Sequence, residues 1–192
     1  PVQLSLDMRI QYALAREVAD GQKEFGAKAA GGIVLNVRTG EVLALVSLPD
    51  FEPNQREAVA NDAARNRMAQ DVYELGSIFK VFSFAQAIEE HTVRLDEKFN
   101  VGHPLEIGRY AIEDSHHLGP VLTGAEVFSQ SSNIGTAQIA MRAGPERQRA
   151  FLKRMGLLKA VQTELPESAA PLVPSHWQDV ETATFSFGHG IS

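Results

Sequence analysis

Apolar positions recur three and four residues apart near the start of the chain. Ile10, Leu14 and Val18 share one face of a helix that Ser5 or Asp7 can cap and that runs to about Phe25. The pattern then changes. Ile33 to Val37 and Val42 to Val46 are two apolar, β-branched runs joined by Arg38-Thr39-Gly40, which predicts a hairpin. From Pro49 to Gly76 the chain is polar and loop-rich, with a helical patch near Glu57 to Met68. Ser77 to Glu89 reads as a buried helix, since Ile78, Phe79, Val81, Phe82, Phe84 and Ala85 surround it. Leu105 to Ile112 predicts a small hairpin turning near Gly108. Thr123 and Glu126 form a capping box for a helix leading to Gln130. A second helix spans Ile134 to Ala140, and Pro145 and Gly156 bracket a third. Leu157 to Ser175 is a proline-containing connection, and no internal repeat or low-complexity tract interrupts the chain.

Candidate chemistry sharpens this outline at Glu74-Leu75-Gly76-Ser77-Ile78-Phe79-Lys80. One helical turn places Ser77 and Lys80 on the same face. A serine hydroxyl needs a neighbouring base to become a nucleophile, and a lysine can serve once burial lowers its pKa. A helix start also offers free N–H groups to a developing negative charge. Taken alone, the commoner reading of such a pair is a capping serine and a solvated lysine. Ser131-Ser132-Asn133 sits between two helical stretches. There Ser131 could relay a proton, and Asn133 could hold a substrate amide with both donor and acceptor. Its bland reading is a polar turn that caps helix ends.

Together, and in this order, the two motifs resemble the Ser-x-x-Lys and Ser-x-Asn pair of penicillin-binding proteins and class A β-lactamases. The resemblance becomes specific over longer stretches. Gly31 to Ser47 is similar to the first two sheet strands of the transpeptidase domain of class B penicillin-binding proteins. Leu48-Pro49-Asp50-Phe51-Glu52-Pro53-Asn54 resembles their Pro-x-Phe-x-Pro-Asn loop. Asn66-Arg67 leading to Tyr73-Glu74-Leu75-Gly76-Ser77 resembles the approach to their nucleophile, and Phe187-Gly188-His189-Gly190-Ile191-Ser192 their Gly-Tyr-Gly segment. Leu75 stands where the family usually has proline, and His189 where it often has tyrosine. The family's third motif, Lys-Thr-Gly or Lys-Ser-Gly, does not occur in these 192 residues.

The resemblance implies an α+β fold, the penicillin-binding protein and serine β-lactamase-like antiparallel sheet flanked by helices, with about two of its sheet strands visible here. Residues 1–192 would be the N-terminal portion of a single transpeptidase domain. It implies a D,D-transpeptidase that cross-links peptidoglycan stem peptides through a serine acyl-enzyme and is acylated by β-lactam antibiotics. Ser77, Lys80, Ser131 and Asn133 would be catalytic, and Gly76, Ser132, His189 and Gly190 would line the substrate. Glu74 would be structural. No cofactor is implied. A chain lacking the third motif is expected to be inactive as a transpeptidase and slow toward β-lactams. An incomplete sheet would also expose an open edge that invites self-association. The family works on the periplasmic face of the bacterial inner membrane through an N-terminal anchor, with division or elongation membrane proteins as partners; overall similarity leans toward septation. The alternatives are a β-lactamase or β-lactam-sensing receptor domain with the same Ser-x-x-Lys, and a non-catalytic interaction module.

Composition agrees with a globular piece. A 44% hydrophobic chain of 192 residues can bury a core, and one domain is the default. A net charge of −6 gives no basic footprint for nucleic acid. The absence of cysteine removes disulfides and thiolate metal sites. No apolar run approaches the roughly 20 residues of a membrane-spanning helix, and no signal peptide is visible. His116-His117 after Asp114 offers adjacent ligands without a third at metal spacing, so no metal is expected. Trp177, the only tryptophan, reads as packing.

Overall fold

The structure is a computed structural model that describes residues 3–52, 54 and 62–192. The chain forms two compact units, one from the segment ending at Asp71 together with Gln162–Ala169, the other from Val72–Val161 with Ala170–Ser192.

The first unit is a helix over a hairpin. Helix α1 (Met8–Glu24) starts where the Asp7 carboxylate accepts the Arg9 and Ile10 N–H groups, and Asp7 is the cap. Ser5 instead donates its hydroxyl to the Val42 carbonyl. Strands β1 (Ala30–Leu35) and β2 (Val42–Leu48) pair antiparallel, with a bulge at Val34/Leu35 and Gly40 at φ +79° in the turn. Ala44 and Val46 face inward, one strand period apart. The carboxamide of Gln11 donates to the Leu45 carbonyl and accepts the Leu45 N–H, both at 2.9 Å, and the Asp7 N–H reaches the Leu43 carbonyl. The start of α1 thus occupies backbone groups of β2 that a further strand would otherwise take. A 3-10 turn (Asp62–Ala64) and the single helical turn α2 (Arg67–Gln70) follow. The expected helical patch from Glu57 therefore ends in a much shorter helix, and its first residues lie outside those described.

The second unit holds α3 (Lys80–Glu89), β3 (Lys98–Asn100), β4 (Leu105–Ile107), β5 (Tyr110–Ile112), β6 (Val121–Thr123), α4 (Gly124–Ser129), α5 (Asn133–Ala143), α6 (Pro145–Arg154) and α7 (Asp179–Phe185). The β4–β5 hairpin turns through Gly108 at φ +60°. Thr123 and Glu126 close the expected capping box, and Pro145 opens α6. Two elements go beyond the sequence reading: α7, and the antiparallel pairing of β3 with β6. The described residues thus hold six strands in three two-stranded pairs alongside helices, an α+β arrangement. Helix α5 is the spine, its Ile134, Ala137 and Ile139 in a core with Phe84, Phe99, Leu122 and Val127. A second cluster of Phe79, Phe151, Leu152, Phe185 and Ile191 lies at the start of α3. At Gly135 a Cβ would come within 2.5 Å of Val127, so only glycine lets α4 pack this closely on α5.

Candidate active site

The nucleophile candidate lies one turn earlier than a simple helix start. Gly76–Phe79 is a 3-10 turn that runs into α3, so Ser77 is not the first α-helical residue. In a 3-10 turn side chains three apart eclipse, and the Lys80 N–H closes the turn on the Ser77 carbonyl. Ser77 is exposed, Lys80 only 2% so. Phe79, between them, anchors the turn in the second core cluster.

The buried lysine has a destination. Its Nζ donates to the Ser131 carbonyl at 2.5 Å and to Ser131 Oγ at 2.9 Å. Burial pushes its pKa down to about 8, while the Asp114 carboxylate pulls the other way. Ser131 reaches both contacts from a left-handed backbone, φ +59°. The reason is local. Helix α4 ends with the Ser131 N–H on the Phe128 carbonyl and the Ser132 N–H on the Val127 carbonyl, a Schellman closure whose left-handed position usually carries glycine. Serine there sits in strain and brings a hydroxyl.

Ser132 and Asn133 then open α5. Ser132 is fully buried, accepts the Gly135 N–H at 2.9 Å and donates to Asp114 Oδ2 at 2.8 Å. It caps α5, and its hydroxyl is committed to these two bonds. Asn133 is partly exposed, and its Nδ2 donates to the Glu113 carbonyl at 3.1 Å. Among the described residues no hydrogen bond joins Asn133 to Lys80 or to Ser77. The structure brings Lys80 directly to Ser131, whereas the Asn133 carboxamide, two residues along, is held on the Glu113 carbonyl. Asp114, which the sequence reading had weighed only as a metal ligand beside His116, also accepts the Asn133 and Ile134 N–H groups. No local pattern announces it, because it lies 18 residues from Ser132. Among the described residues no group of His, Asp or Glu is arranged to hold a metal.

The C-terminal glycines approach from the other side of the Ser77 turn. The Gly76 N–H donates to the Gly188 carbonyl at 3.1 Å, and the Gly190 N–H to Glu74 Oε1 at 2.6 Å. Glu74 Oε2 lies 3.3 Å from the exposed His189 ring. Gly76 and Gly190 thus spend their N–H groups on fastening two segments together, and Glu74 is the structural tie between them. His189 keeps an open face.

Comparison with known proteins follows the same residues. The penicillin binding protein transpeptidase domain model matches residues 30–192. The chain is 41% identical over 192 residues to a probable peptidoglycan D,D-transpeptidase FtsI of Caulobacter vibrioides, covering 100% of this chain and 33% of that protein. It is 33% identical over 191 residues to the peptidoglycan D,D-transpeptidase FtsI of Escherichia coli, covering 98% of this chain and 32% of the relative. The structure superposes on the transpeptidase domain of Burkholderia pseudomallei penicillin-binding protein 3 with a TM-score of 0.85 at 34% identity, over 98% of this chain and 53% of that one. The chain spans about a third of the length of these curated relatives.

Proposed function

This chain belongs to the penicillin-binding protein transpeptidase family, and on that premise we propose that it carries the acylation centre of a peptidoglycan D,D-transpeptidase. Ser77 attacks the carbonyl of the penultimate D-alanine of a stem peptide and expels the terminal D-alanine. The amine of a neighbouring stem then attacks the acyl-enzyme, which forms the cross-link and frees Ser77. Lys80 takes the Ser77 proton. In its neutral form the amine can donate one proton to each Ser131 oxygen and keep its lone pair for Ser77. Ser131 passes a proton to the leaving group, and Asn133 orients the substrate amide. β-Lactams acylate the same hydroxyl.

The observation that carries this reading is a buried lysine with a lowered pKa, bonded to Ser131 and one tight turn from an exposed serine. Such perturbed groups gather at functional sites. The family match spans both compact units, and we read them as parts of one transpeptidase domain. The substrate places the site on the periplasmic face of the membrane. Septal division proteins are the partners this reading favours, and the outer edge of β1 is where a second copy would pair. Among the described residues no helix is long and apolar enough to cross a membrane.

Mass spectrometry of the protein treated with a penicillin tests the assignment. The adduct is expected on Ser77 and absent from Ser77→Ala. An adduct on Ser131, or full labelling of the alanine variant, would refute it.

A further inference from the structure

Beyond the four motif residues, one carboxylate organises the site from outside both motifs. Asp114 follows β5 by two residues, and Ile112 before it is buried in the main core, so the hairpin fixes where the carboxylate stands. Both oxygens are used. Oδ1 accepts the Asn133 N–H at 2.5 Å and the Ile134 N–H at 3.1 Å, and Oδ2 accepts the Ser132 hydroxyl at 2.8 Å. The neighbouring Glu113 carbonyl takes the Asn133 carboxamide. Ser132 already caps α5 through the Gly135 N–H, so α5 has a cap of its own without Asp114. What the carboxylate adds is a tie between α5 and the hairpin, just where the chain leaves the left-handed Ser131.

That residue is held from two ends. On one side the Schellman closure of α4 fixes its N–H. On the other, its next two residues are bonded to Asp114. Only with both ends fixed does a strained serine keep its carbonyl and its hydroxyl on one ammonium at once.

We propose that Asp114 is a positioning residue for acylation: by tying Ser132 and the first two N–H groups of α5 to the β4–β5 hairpin, it holds Ser131 in the turn that presents two oxygens to Lys80. The inference rests on the roles given above to Ser77 and Lys80. Charge gives it a second signature. Among the described residues Asp114 is the charged side chain that acts appreciably on Lys80, and it favours the protonated amine. Exposed Glu113, His116 and His117 share its loop.

The test compares Asp114→Asn and Asp114→Glu with the unaltered whole protein, by the second-order rate of labelling with a fluorescent penicillin from pH 6 to 10, alongside thermal unfolding. Asp114→Asn is expected to lower the plateau rate by about tenfold to a hundredfold, the scale of a misplacement on the order of 1 Å. It should also move the acid limb to lower pH, because the charge holding the proton on Lys80 is gone. Asp114→Glu keeps the charge but displaces the oxygens, so its plateau should fall while the limb stays in place. Wild-type rates in Asp114→Asn, or a lower plateau with an unmoved limb, would overturn the proposal and leave a plain structural cap. Should Asp114→Asn not fold, a wild-type plateau in Asp114→Glu would overturn it equally. Labelling of the unaltered protein elsewhere than Ser77 would fell the underlying reading, an outcome visible before any variant is made.

Discussion

Replacing Gly188 by alanine asks the most of this structure. A Cβ there would stand 2.3 Å from the Gly76 carbonyl oxygen, 2.6 Å from the Gly76 nitrogen and 2.8 Å from Phe79 Cβ. Two of these atoms are backbone, so no side chain can swing away. At φ +74° an alanine also holds the left-handed conformation at a cost of about 1–2 kcal/mol. Overpacking of this kind adds about 1–3 kcal/mol. The Gly76 to Gly188 hydrogen bond, with a net value of about 1 kcal/mol, is lost if the segments part. A total of about 4 kcal/mol would lower Tm by about 8–16 °C in a chain of this size. Gly108→Ala is the control. Gly108 has φ +60° but nothing within 4 Å of its would-be Cβ, so only the conformational part applies. Thermal unfolding of both variants, with penicillin labelling of the folded protein, separates the two contributions. Gly188→Ala should lose two to three times as much stability as Gly108→Ala and label more slowly, because the Ser77 turn loses its fastening. Equal losses with unchanged labelling would show that the close approach does not exist in solution.

On the proposed role of Lys80 as base, the acylation rate should rise with pH through a midpoint near 8, because only the neutral amine could accept the Ser77 proton; a flat profile from pH 6 to 9 would remove Lys80 as the base. The same shift has a stability sign. Folding lowers this pKa from the usual 10.5, so below about 8 Lys80 is held charged in the core and opposes folding, and that penalty is relieved as pH rises from 8 toward 10.5. Denaturant titrations of the unaltered chain and of Lys80→Met at pH 7 and 9.5 should therefore differ less at the higher pH. Ser131→Gly should unfold at a higher temperature than Ser131→Ala, by a difference of about 1–2 kcal/mol, because only glycine relieves φ +59°. Both should acylate slowly for want of the hydroxyl, and a Ser131→Gly protein that labels at the normal rate would exclude the relay.

What the sequence made legible is what short-range chemistry decides. Asp7 before an apolar stripe, Gly40 between two β-branched runs, the Thr123–Glu126 box and Pro145 each act within a few residues of where they stand, and each stands in the structure as expected. The pairing of Lys98–Asn100 with Val121–Thr123 was hidden because three-residue strands show no alternation and their partner lies more than 20 positions away. Helix α7 was hidden for another reason. Its Asp179-Val180-Glu181-Thr182-Ala183-Thr184-Phe185 contains three β-branched residues, and it forms because Ala183 and Phe185 are buried and Gln178 and Glu181 close a capping box. Within the site, Ser77 and Lys80 could be paired by spacing, but the 3-10 geometry that eclipses them depends on Gly76 at φ +58° and on its bond to Gly188. Asp114 belongs to the same class of long-range facts. The burial of Ser132 and its two hydrogen bonds, which cap α5 and reach Asp114, are likewise set by partners outside the motif.

The places where local rules are broken gather around one lysine. Gly76 and Gly188 have positive φ before and across from Ser77, Ser131 holds a position that favours glycine, and Lys80 is a buried cation whose nearest acceptors are neutral oxygens. The strained serine and the buried lysine cost stability by themselves, while the two glycines supply backbone conformations that other residues would hold only under strain. What makes them sustainable is that rigid packing lies next to every one. Phe79 and Phe185 clamp the Ser77 turn from below, Val127 closes on Gly135 behind Ser131, and the Ser83 hydroxyl ties α3 to the Ser186 carbonyl just before Gly188. An apolar residue in place of Lys80 would suit that packing better, and a glycine would suit the Ser131 turn better. A chain selected for stability alone would carry both. This one keeps an ionisable amine and a strained hydroxyl together one turn from an exposed serine, the set of groups on which the proposed acyl transfer rests.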